Sequence, residues 1–247
     1  EYEGGKPSES KDSYLVAFSK DSGKLAWKTN RTYKVKAETG QSYTTPLVVG
    51  EKGDEMIITF GSDHLTGHSA KDGNLIWDCG GYNPTDKAMW RVIASPSISN
   101  GIVVVPYGRK GHFAAVKATG KGDITKTNRL WTKDVGADVP SPIAHDGKAY
   151  LVTDRGHIYC FDLESGEEIW NQKLPRSSAS YYSSPVIAGE RMVLAREDGI
   201  VMVMKLLDGG FDLLSQNEMN ERIIASPIPI DQNLFLRGQK HLFCLGD

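Results

Sequence analysis

The sequence is poor in cysteine and shows no pattern of paired thiols. Its 247 residues include three cysteines, and no two of them form a Cys-X-X-Cys pair. An odd number without such a pair fits neither a disulfide framework nor a tetrahedral zinc site. We therefore expect no metal and three free thiols, at Cys79, Cys160 and Cys244.

Long apolar runs and an excess of charge of one sign are also absent. No apolar run approaches the roughly 18–20 residues that a helix needs to span a bilayer, so we expect no transmembrane segment. The formal net charge is only −2. This balance excludes a general nucleic-acid binder and a binder of anionic membrane surfaces, because both depend on clustered basic residues.

Known catalytic motifs are missing as well. The chain contains no Gly-X-Ser-X-Gly elbow, phosphate-binding glycine loop, His-Glu-X-X-His motif or EF-hand loop. The polar stretch 121–127 could suggest an ion site, but its composition is that of a solvated hairpin turn. We identify no catalytic residue, and the sequence favours a protein that is not an enzyme.

What the sequence does contain is an internal repeat. A Ser-Pro or Thr-Pro dipeptide recurs with gaps of 50, 46, 43 and 42 residues, and its prolines are Pro46, Pro96, Pro142, Pro185 and Pro227. Each dipeptide is followed by three short β-rich runs separated by polar turns. A period of 40–50 residues with four short strands is typical of a β-propeller blade. We predict an all-β propeller of four-stranded antiparallel blades, with about five to six visible in this chain.

Tryptophans recur at one position of the repeat, after a turn that contains glycine. The four are Trp27, Trp77, Trp131 and Trp170, and Leu214 lies near this position in the last full unit. A blade cannot bury both of its faces alone, so blades must stack. We interpret these four tryptophans as structural contacts between blades.

The repeat predicts one propeller domain over residues 1–247. The blade units are approximately 14–30, 42–80, 92–136, 139–174, 181–219 and 223–247. The first unit contains only third and fourth strands, and the last contains only the first three. Two accounts fit this phase: a five-bladed ring closed by its ends, or the C-terminal part of a larger ring. We favour the second, because the first 13 residues read as a loop between strands.

Four histidines also share one repeat position, at the start of the third strand: His64, His112, His157 and His241. The third strand lies about two strand spacings of ~4.8 Å outside the innermost strand of its blade. Equivalent positions on different blades therefore diverge, and these side chains cannot converge on one metal ion. We expect a repeated structural role.

One edge of the blades collects polar and aromatic side chains. In an antiparallel meander, the connections between second and third strands lie at the same edge as those between blades. We call this edge the connection rim and expect it at the mouth of the central channel. Arginine interleaved with tryptophan and tyrosine is typical of recognition surfaces. The alternative is ordinary solvated loops and ion pairs. The candidate ligand-binding residues are Trp90, Arg91, Arg109, Asp138, Arg155, Tyr181, Tyr182 and Arg222.

The motif Asp-X-X-Ser-Gly-X-X-X-Trp at 162–170, together with the Ser-Pro openings, resembles the pyrroloquinoline-quinone (PQQ)-like β-propeller repeat. Segments 67–73, 121–131 and 240–246 look like bacterial PQQ-binding-like β-propeller repeat proteins, which are related to the quinoprotein alcohol dehydrogenase-like propeller. The resemblance covers essentially the whole chain. It implies a ring of about eight blades and a periplasmic or extracellular location.

The resemblance leaves the function open between three alternatives. In the dehydrogenases of this family, PQQ is held with Ca²⁺ beneath a disulfide between adjacent cysteines, and no such cysteine pair is present here. We therefore expect no cofactor and a non-catalytic binding or scaffolding propeller. Its ligand would be a protein segment or a small polar molecule on the connection rim. The alternatives are a PQQ-dependent oxidoreductase and the sensor domain of a larger signalling protein.

Overall fold

The computed structural model describes residues 2–3, 6–7 and 13–246, and from residue 13 onward it also describes the side chains. Almost all regular structure in this part is β. The strands are β1 (Tyr2–Glu3), β2 (Lys6–Pro7), β3 (Tyr14–Phe18), β4 (Leu25–Asn30), β5 (Leu47–Val49), β6 (Met56–Gly61), β7 (His64–Ser69), β8 (Leu75–Cys79), β9 (Ser97–Ser99), β10 (Ile102–Tyr107), β11 (His112–Lys117), β12 (Gly122–Asp123), β13 (Arg129–Lys133), β14 (Ile143–His145), β15 (Lys148–Val152), β16 (His157–Asp162), β17 (Glu168–Lys173), β18 (Val186–Ala188), β19 (Arg191–Ala195), β20 (Ile200–Leu207), β21 (Gly210–Glu218), β22 (Ile228–Ile230), β23 (Asn233–Arg237) and β24 (Leu242–Leu245). One 3₁₀ helix spans Ala37–Gly40. None of the helices described is long and apolar enough to cross a membrane.

The strands form the antiparallel blades that the repeat predicts. Four blades have a complete meander, in the orders β5-β6-β7-β8, β9-β10-β11-β13, β14-β15-β16-β17 and β18-β19-β20-β21. Strands β3 and β4 form a two-stranded sheet, and β22, β23 and β24 form a three-stranded one. The all-β propeller class is thus confirmed.

The chain divides into two compact units. Unit 1 comprises residues 1–92 with 118–129, and unit 2 comprises 93–117 with 130–247. Unit 1 contains strands β1 to β8 with β12. Unit 2 contains the three blades from β9 to β21 and the sheet from β22 to β24.

Blade stacking explains why β10, the second strand of its blade, is apolar along its whole length. Strand β10 has no exposed residue, although an isolated strand would alternate between a buried and an exposed face. Val104 packs in a cluster with Leu151 and Phe161 of the next blade in unit 2. A continuous apolar run is what a strand needs when both of its faces are covered.

Tight turns set the register of the blades. The hairpins that join first and second strands turn at Asn100–Gly101 and Asp146–Gly147, and all four residues have positive φ between 46° and 73°. Two consecutive residues of this conformation form the turn whose twist matches that of antiparallel strands, and Asn-Gly or Asp-Gly suits it best.

The segment 118–128 differs from the solvated hairpin turn expected from its sequence. Strand β12 within it pairs in parallel with β8, and so adds a fifth strand to the blade of unit 1. Ile124 is buried, and its backbone N–H donates to the carbonyl oxygen of Asp78 at 2.8 Å. A polar composition hid this pairing, because the segment buries only two apolar side chains, those of Ala118 and Ile124.

Candidate functional site

In unit 2, hydrogen bonds hold the connections of the connection rim together. One carboxylate oxygen of the buried Asp154 accepts from the backbone N–H of Asp138 at 2.9 Å. The carbonyl of Asp154 accepts from the backbone N–H of Tyr181 at 3.0 Å. The turn between second and third strands is thereby tied to the connections that enter and leave its blade. This part of the rim is a fixed surface.

Acidic groups and one arginine surround a cavity at the other end of this rim. The cavity has a volume of about 530 Å³ and is lined by Glu197, Asp198, Glu218, Glu221 and Arg222, among others. Arg222 donates from Nη2 to Oε2 of Glu197 at 3.2 Å. Its side chain is about half exposed, so it is positioned to meet a ligand at the rim.

The expectation that Tyr181 binds a ligand needs correction, because the structure places its side chain in the core. Its side chain is 2% exposed, and its ring lies so close to Gly156 that a Cβ there would meet it at 2.6 Å. It belongs to a cluster with Met202 and Trp170. A ring packed in this way cannot present a face to a ligand, so Tyr181 is a structural residue.

The side chains of the other candidates in unit 2 differ in how far they are exposed. Arg155 is exposed, whereas Arg109, Asp138 and Tyr182 are half-buried. Arg109 has a positive φ of 49°, in the turn that joins β10 and β11.

In unit 1, the connection rim consists of two long connections that pack on each other. Thr39, in the 3₁₀ helix, is fully buried and donates from its hydroxyl to the carbonyl of Lys87 at 2.7 Å. The backbone N–H of Trp90 donates to the same hydroxyl oxygen at 3.2 Å. Arg91 donates from Nη1 to Oε2 of Glu38 at 3.1 Å. These contacts bring the candidates Trp90 and Arg91 onto a surface shared with residues 36–43.

Two exposed apolar side chains on this surface were not among the candidate residues predicted from the sequence. Tyr43 is 61% exposed and Met89 is 49% exposed. The backbone N–H of Tyr43 donates to the carbonyl of Val92 at 2.9 Å, which ties Tyr43 to the end of the connection that carries Met89. Tyr43 stands three residues before Pro46, as the candidate Tyr182 stands three before Pro185, so the repeat could have identified it, whereas no methionine stands at the position of Met89 in the other units.

One carboxyl group in this part of the rim, that of Asp63, is partly desolvated. Asp63 lies in the turn between β6 and β7 with a φ of 61°. Burial raises the pKa of Asp63 to about 6, although a hydrogen bond with Asn83 acts in the opposite direction. The charge of the rim in unit 1 therefore changes in mildly acidic solution.

The four repeated tryptophans occupy closely related but unequal environments. The indole N–H of Trp27 donates to the carbonyl of Ala70 at 2.9 Å, and that of Trp131 donates to the carbonyl of Leu163 at 3.0 Å. In both pairs the acceptor lies on the next sheet. Trp77 is turned toward its own blade and reaches the sulfur of Met56 at 3.1 Å.

Trp170 packs on the following blade without an equivalent hydrogen bond. Its ring makes an edge contact with Phe211, with ring centroids 6.2 Å apart. Its indole N–H has no hydrogen-bond partner among the described residues. In that blade the turn between β20 and β21 is shorter than the corresponding turns of the other blades. Leu206 is the residue equivalent to Leu163, but its carbonyl lies within the β20–β21 pairing.

Each of the four repeated histidines contacts a polar side chain on its own sheet or connection. The nitrogen-to-oxygen distances are 2.6 Å for His64 with Asp78, 3.1 Å for His112 with Asp134, 2.9 Å for His157 with Asn171 and 3.1 Å for His241 with Glu221. Four separate local pairs agree with a repeated structural role.

The cysteines are free thiols in different environments. Cys79 and Cys160 are buried, whereas Cys244 is exposed. Burial raises the pKa of the Cys160 thiol to about 12, which keeps it protonated and unreactive at neutral pH. We expect a thiol reagent to modify Cys244 rapidly in the native protein and all three cysteines after denaturation without reductant. A total of one thiol would contradict this prediction.

The residues present do not fit the quinone site that the PQQ-like resemblance implies. That site includes a disulfide between adjacent cysteines, and here the cysteines are separated along the chain by 81 and 84 residues (79 to 160, 160 to 244). Among the described residues, no group of three or more His, Cys, Asp or Glu side chains could hold a metal ion. We therefore derive no chemistry from a quinone.

Sequence comparison identifies the family. A family model described as "Outer membrane protein assembly factor BamB" matches residues 6–172, more than half of the chain. Proteins of that name from Alkalilimnicola ehrlichii and Yersinia pestis are 24% and 22% identical to this chain, over 78% and 89% of its length. The matches cover 48% and 52% of those two proteins, so this chain spans about half the length of the curated relatives it matches.

Structural comparison agrees with the fold. BamB from Moraxella catarrhalis aligns with a TM-score of 0.69 at 14% identity, over 94% of this chain and 66% of that one. The computationally designed Ika8 protein aligns with a TM-score of 0.65 at 14% identity, over 94% and 70% of the two chains. With two thirds of its length in the family match and its strands arranged in propeller blades, the chain belongs to the outer membrane protein assembly factor BamB family of PQQ-like β-propeller repeats.

Proposed function

We propose that this protein is a non-catalytic binding propeller outside the cytoplasm, which holds a protein segment on its connection rim during outer membrane protein assembly. The names of the relatives support the process and the location. The absence of a known catalytic motif from the sequence supports a binding role. A small polar ligand at the rim is the alternative occupant.

The observation that carries the proposal is the surface formed by Tyr43, Met89 and Arg91 in unit 1. Tyr43 and Met89 each expose about half or more of their side chains, and Arg91, two residues after Met89, forms an ion pair with Glu38. Aromatic residues, methionine and arginine are enriched in the cores of protein–protein interfaces, and a few such residues supply most of the binding energy.

Hydrogen bonds explain why this surface can bind without first becoming ordered. Thr39 is bonded to the connection that carries Met89, and Arg91 is bonded to Glu38. A surface already held in one conformation loses less entropy when a partner binds. In unit 2, Arg155 and Arg222 provide exposed guanidinium groups that suit carboxylates of the same or another segment.

Binding to an unfolded outer-membrane β-barrel protein, diluted from urea, tests the proposal. We expect the double variant Met89→Ala/Arg91→Ala to weaken binding at least about tenfold, since loss of two interface residues of this type commonly costs more than ~1.4 kcal/mol. The matched control is Lys24→Ala/Glu167→Ala, on the turns between third and fourth strands at the opposite edge of the blades.

The measured affinity has a defined expected value for each variant. Fluorescence anisotropy of the labelled barrel protein should give the same affinity for the control as for the unchanged chain. An Arg222→Ala variant reports on the rim of unit 2 in the same way. Loss of binding in the control alone would place the interface on the opposite edge and refute the proposal.

A further inference from the structure

A second cavity lies in unit 1, and neither Tyr43 nor Met89 is among the residues that line it. Its volume is about 340 Å³, at the small end of the roughly 300–1,000 Å³ typical of small-molecule sites. His64, Asp78 and Gly80 form one wall, from β7 and β8 and the residue that follows β8. Segment 118–128 forms the other wall with Asp123, Thr125 and Lys126. We call it the insertion cleft.

The imidazole of His64 is held in one orientation at this cleft. Its ring stacks on Tyr33 with centroids 3.7 Å apart and planes inclined by 13°. Its Nδ1 lies 2.6 Å from Oδ1 of Asp78, whose Oδ2 accepts from the Tyr33 hydroxyl at 2.6 Å. Gly80 leaves room for the ring, because a Cβ at this position would meet Cε1 of His64 at 2.8 Å.

The hydrogen-bonding role of the exposed edge of His64 follows from this arrangement. Burial acts to raise the pKa of Asp78, but hydrogen bonds from His64 and Tyr33 outweigh it and hold that pKa below its ordinary value. An ionised carboxylate only accepts hydrogen bonds, so Nδ1 of His64 must donate. In the neutral imidazole Nε2 is then an acceptor, and it has no hydrogen-bond partner among the described residues.

The opposite wall supplies one more acceptor and one donor. The backbone N–H of Thr125 donates to Oδ1 of Asp123 at 2.9 Å, and the Thr125 hydroxyl oxygen accepts from the N–H of Gly80 at 2.8 Å. Hydrogen bonds from Thr125 lower the pKa of Asp123, so its exposed carboxylate is ionised. Lys126 is exposed and brings an ammonium group to the same cleft.

From this juxtaposition we propose that the insertion cleft binds a neutral saccharide. Hydroxyl groups of the sugar donate to Nε2 of His64 and to the carboxylate of Asp123, and a ring or hydroxyl oxygen accepts from Lys126. Sugars carry donors and acceptors on adjacent carbons, which matches a cleft that offers both within a small volume.

Charge at the cleft disfavours an ionic ligand of either sign. An anion such as phosphate would face the carboxylates of Asp78 and Asp123, and an amine would face the ammonium of Lys126. The half-buried carboxylate of Asp78 is screened by water less than the exposed Asp123 and Lys126, so its repulsion of an anion is the stronger of these effects. A neutral ligand avoids both repulsions.

The test uses the full chain and six probes, none of which needs a known physiological ligand. The probes are D-glucose, D-galactose and N-acetyl-D-glucosamine, with inorganic phosphate, 1,4-diaminobutane and glycerol for comparison. Saturation-transfer NMR detects binding of the organic probes, and isothermal titration calorimetry measures affinity and detects binding of phosphate, which has no carbon-bound protons. We expect at least one of the three sugars to bind, and phosphate and the diamine not to bind.

Two variants locate the binding site. Asp123→Asn keeps an oxygen that accepts from the Thr125 N–H, so the segment should fold, yet sugar affinity should fall about tenfold or more because a charged acceptor is lost. Lys126→Met should also weaken binding. The matched control is Asp134→Asn, in the His112–Asp134 pair of another blade.

Three outcomes would overturn this inference. The first is that none of the three sugars gives saturation transfer. The second is that phosphate or the diamine binds in place of a sugar. The third is that a sugar binds equally well to Asp123→Asn and Lys126→Met. The inference is independent of the proposed rim function, which the barrel-protein experiment tests separately.

Discussion

Replacing Trp131 by alanine should lower the free energy of unfolding by about 3–5 kcal/mol, in the range of large-to-small changes in protein cores. The indole is buried and lies between two sheets of unit 2. Its N–H bonds to the carbonyl of Leu163, and its ring is so close to Gly166 that a Cβ there would meet it at 2.5 Å. The variant loses the apolar contact, leaves a cavity and removes the partner of that carbonyl.

The repeat provides an internal control for this prediction. Leu214 lies beside the corresponding position, which Ser215 occupies in a later blade, and the Leu214 side chain is 50% exposed. Leu214→Ala should change the free energy of unfolding by about 0.5 kcal/mol or less, as surface substitutions usually do. The two variants are compared by urea denaturation, which is monitored by far-UV circular dichroism because this signal does not depend on tryptophan fluorescence. Equal losses would contradict the stabilising role assigned to the contact of Trp131 with the next sheet.

Replacing Arg31 by methionine should have the second largest effect, a loss of about 2–5 kcal/mol. Arg31 is 7% exposed and donates to the carbonyls of Gly61 and His64 at 2.9 and 2.7 Å, and to the Thr66 hydroxyl at 3.0 Å. Methionine fills similar space but donates nothing. Each buried acceptor left without a donor costs about 1–3 kcal/mol.

The control is Arg155→Met, because Arg155 is an exposed arginine, in the turn between β15 and β16. It should unfold at nearly the same urea concentration as the unchanged chain. Thermal and urea denaturation of both variants give the comparison. If Arg31→Met were as stable as Arg155→Met, the hydrogen bonds of Arg31 would contribute nothing net to the fold.

Much of the fold could be predicted from the sequence because a repeat records the same physical requirement several times. The tryptophans and the Ser-Pro dipeptides fixed the blade period, and glycines of the turns such as Gly73 and Gly166 do adopt positive φ, of 75° and 72°. Strand β12 was not predictable in this way. Its partner β8 is distant in sequence, its pairing is parallel, and it occurs once.

The edge of the blades at which the candidate residues lie could be predicted from the sequence, but the orientations of their side chains could not. Trp90, Arg91 and Arg222 lie on the connection rim, as the meander topology requires. Tyr181 lies in the core, because the direction of a side chain in an irregular connection depends on packing and not on a repeat. The exposure of Tyr43 was likewise invisible, since nothing in its local sequence distinguishes an exposed tyrosine from a buried one.

Hydrogen–deuterium exchange with and without the unfolded barrel protein tests most directly whether the connection rim is the binding face. The account predicts slower exchange in segments 36–43 and 83–92 of unit 1 when the partner is bound. The turns at 19–24, 69–74 and 162–167, at the opposite edge of the blades, should exchange at unchanged rates. Protection confined to those turns, with no change in 36–43 or 83–92, would contradict the account.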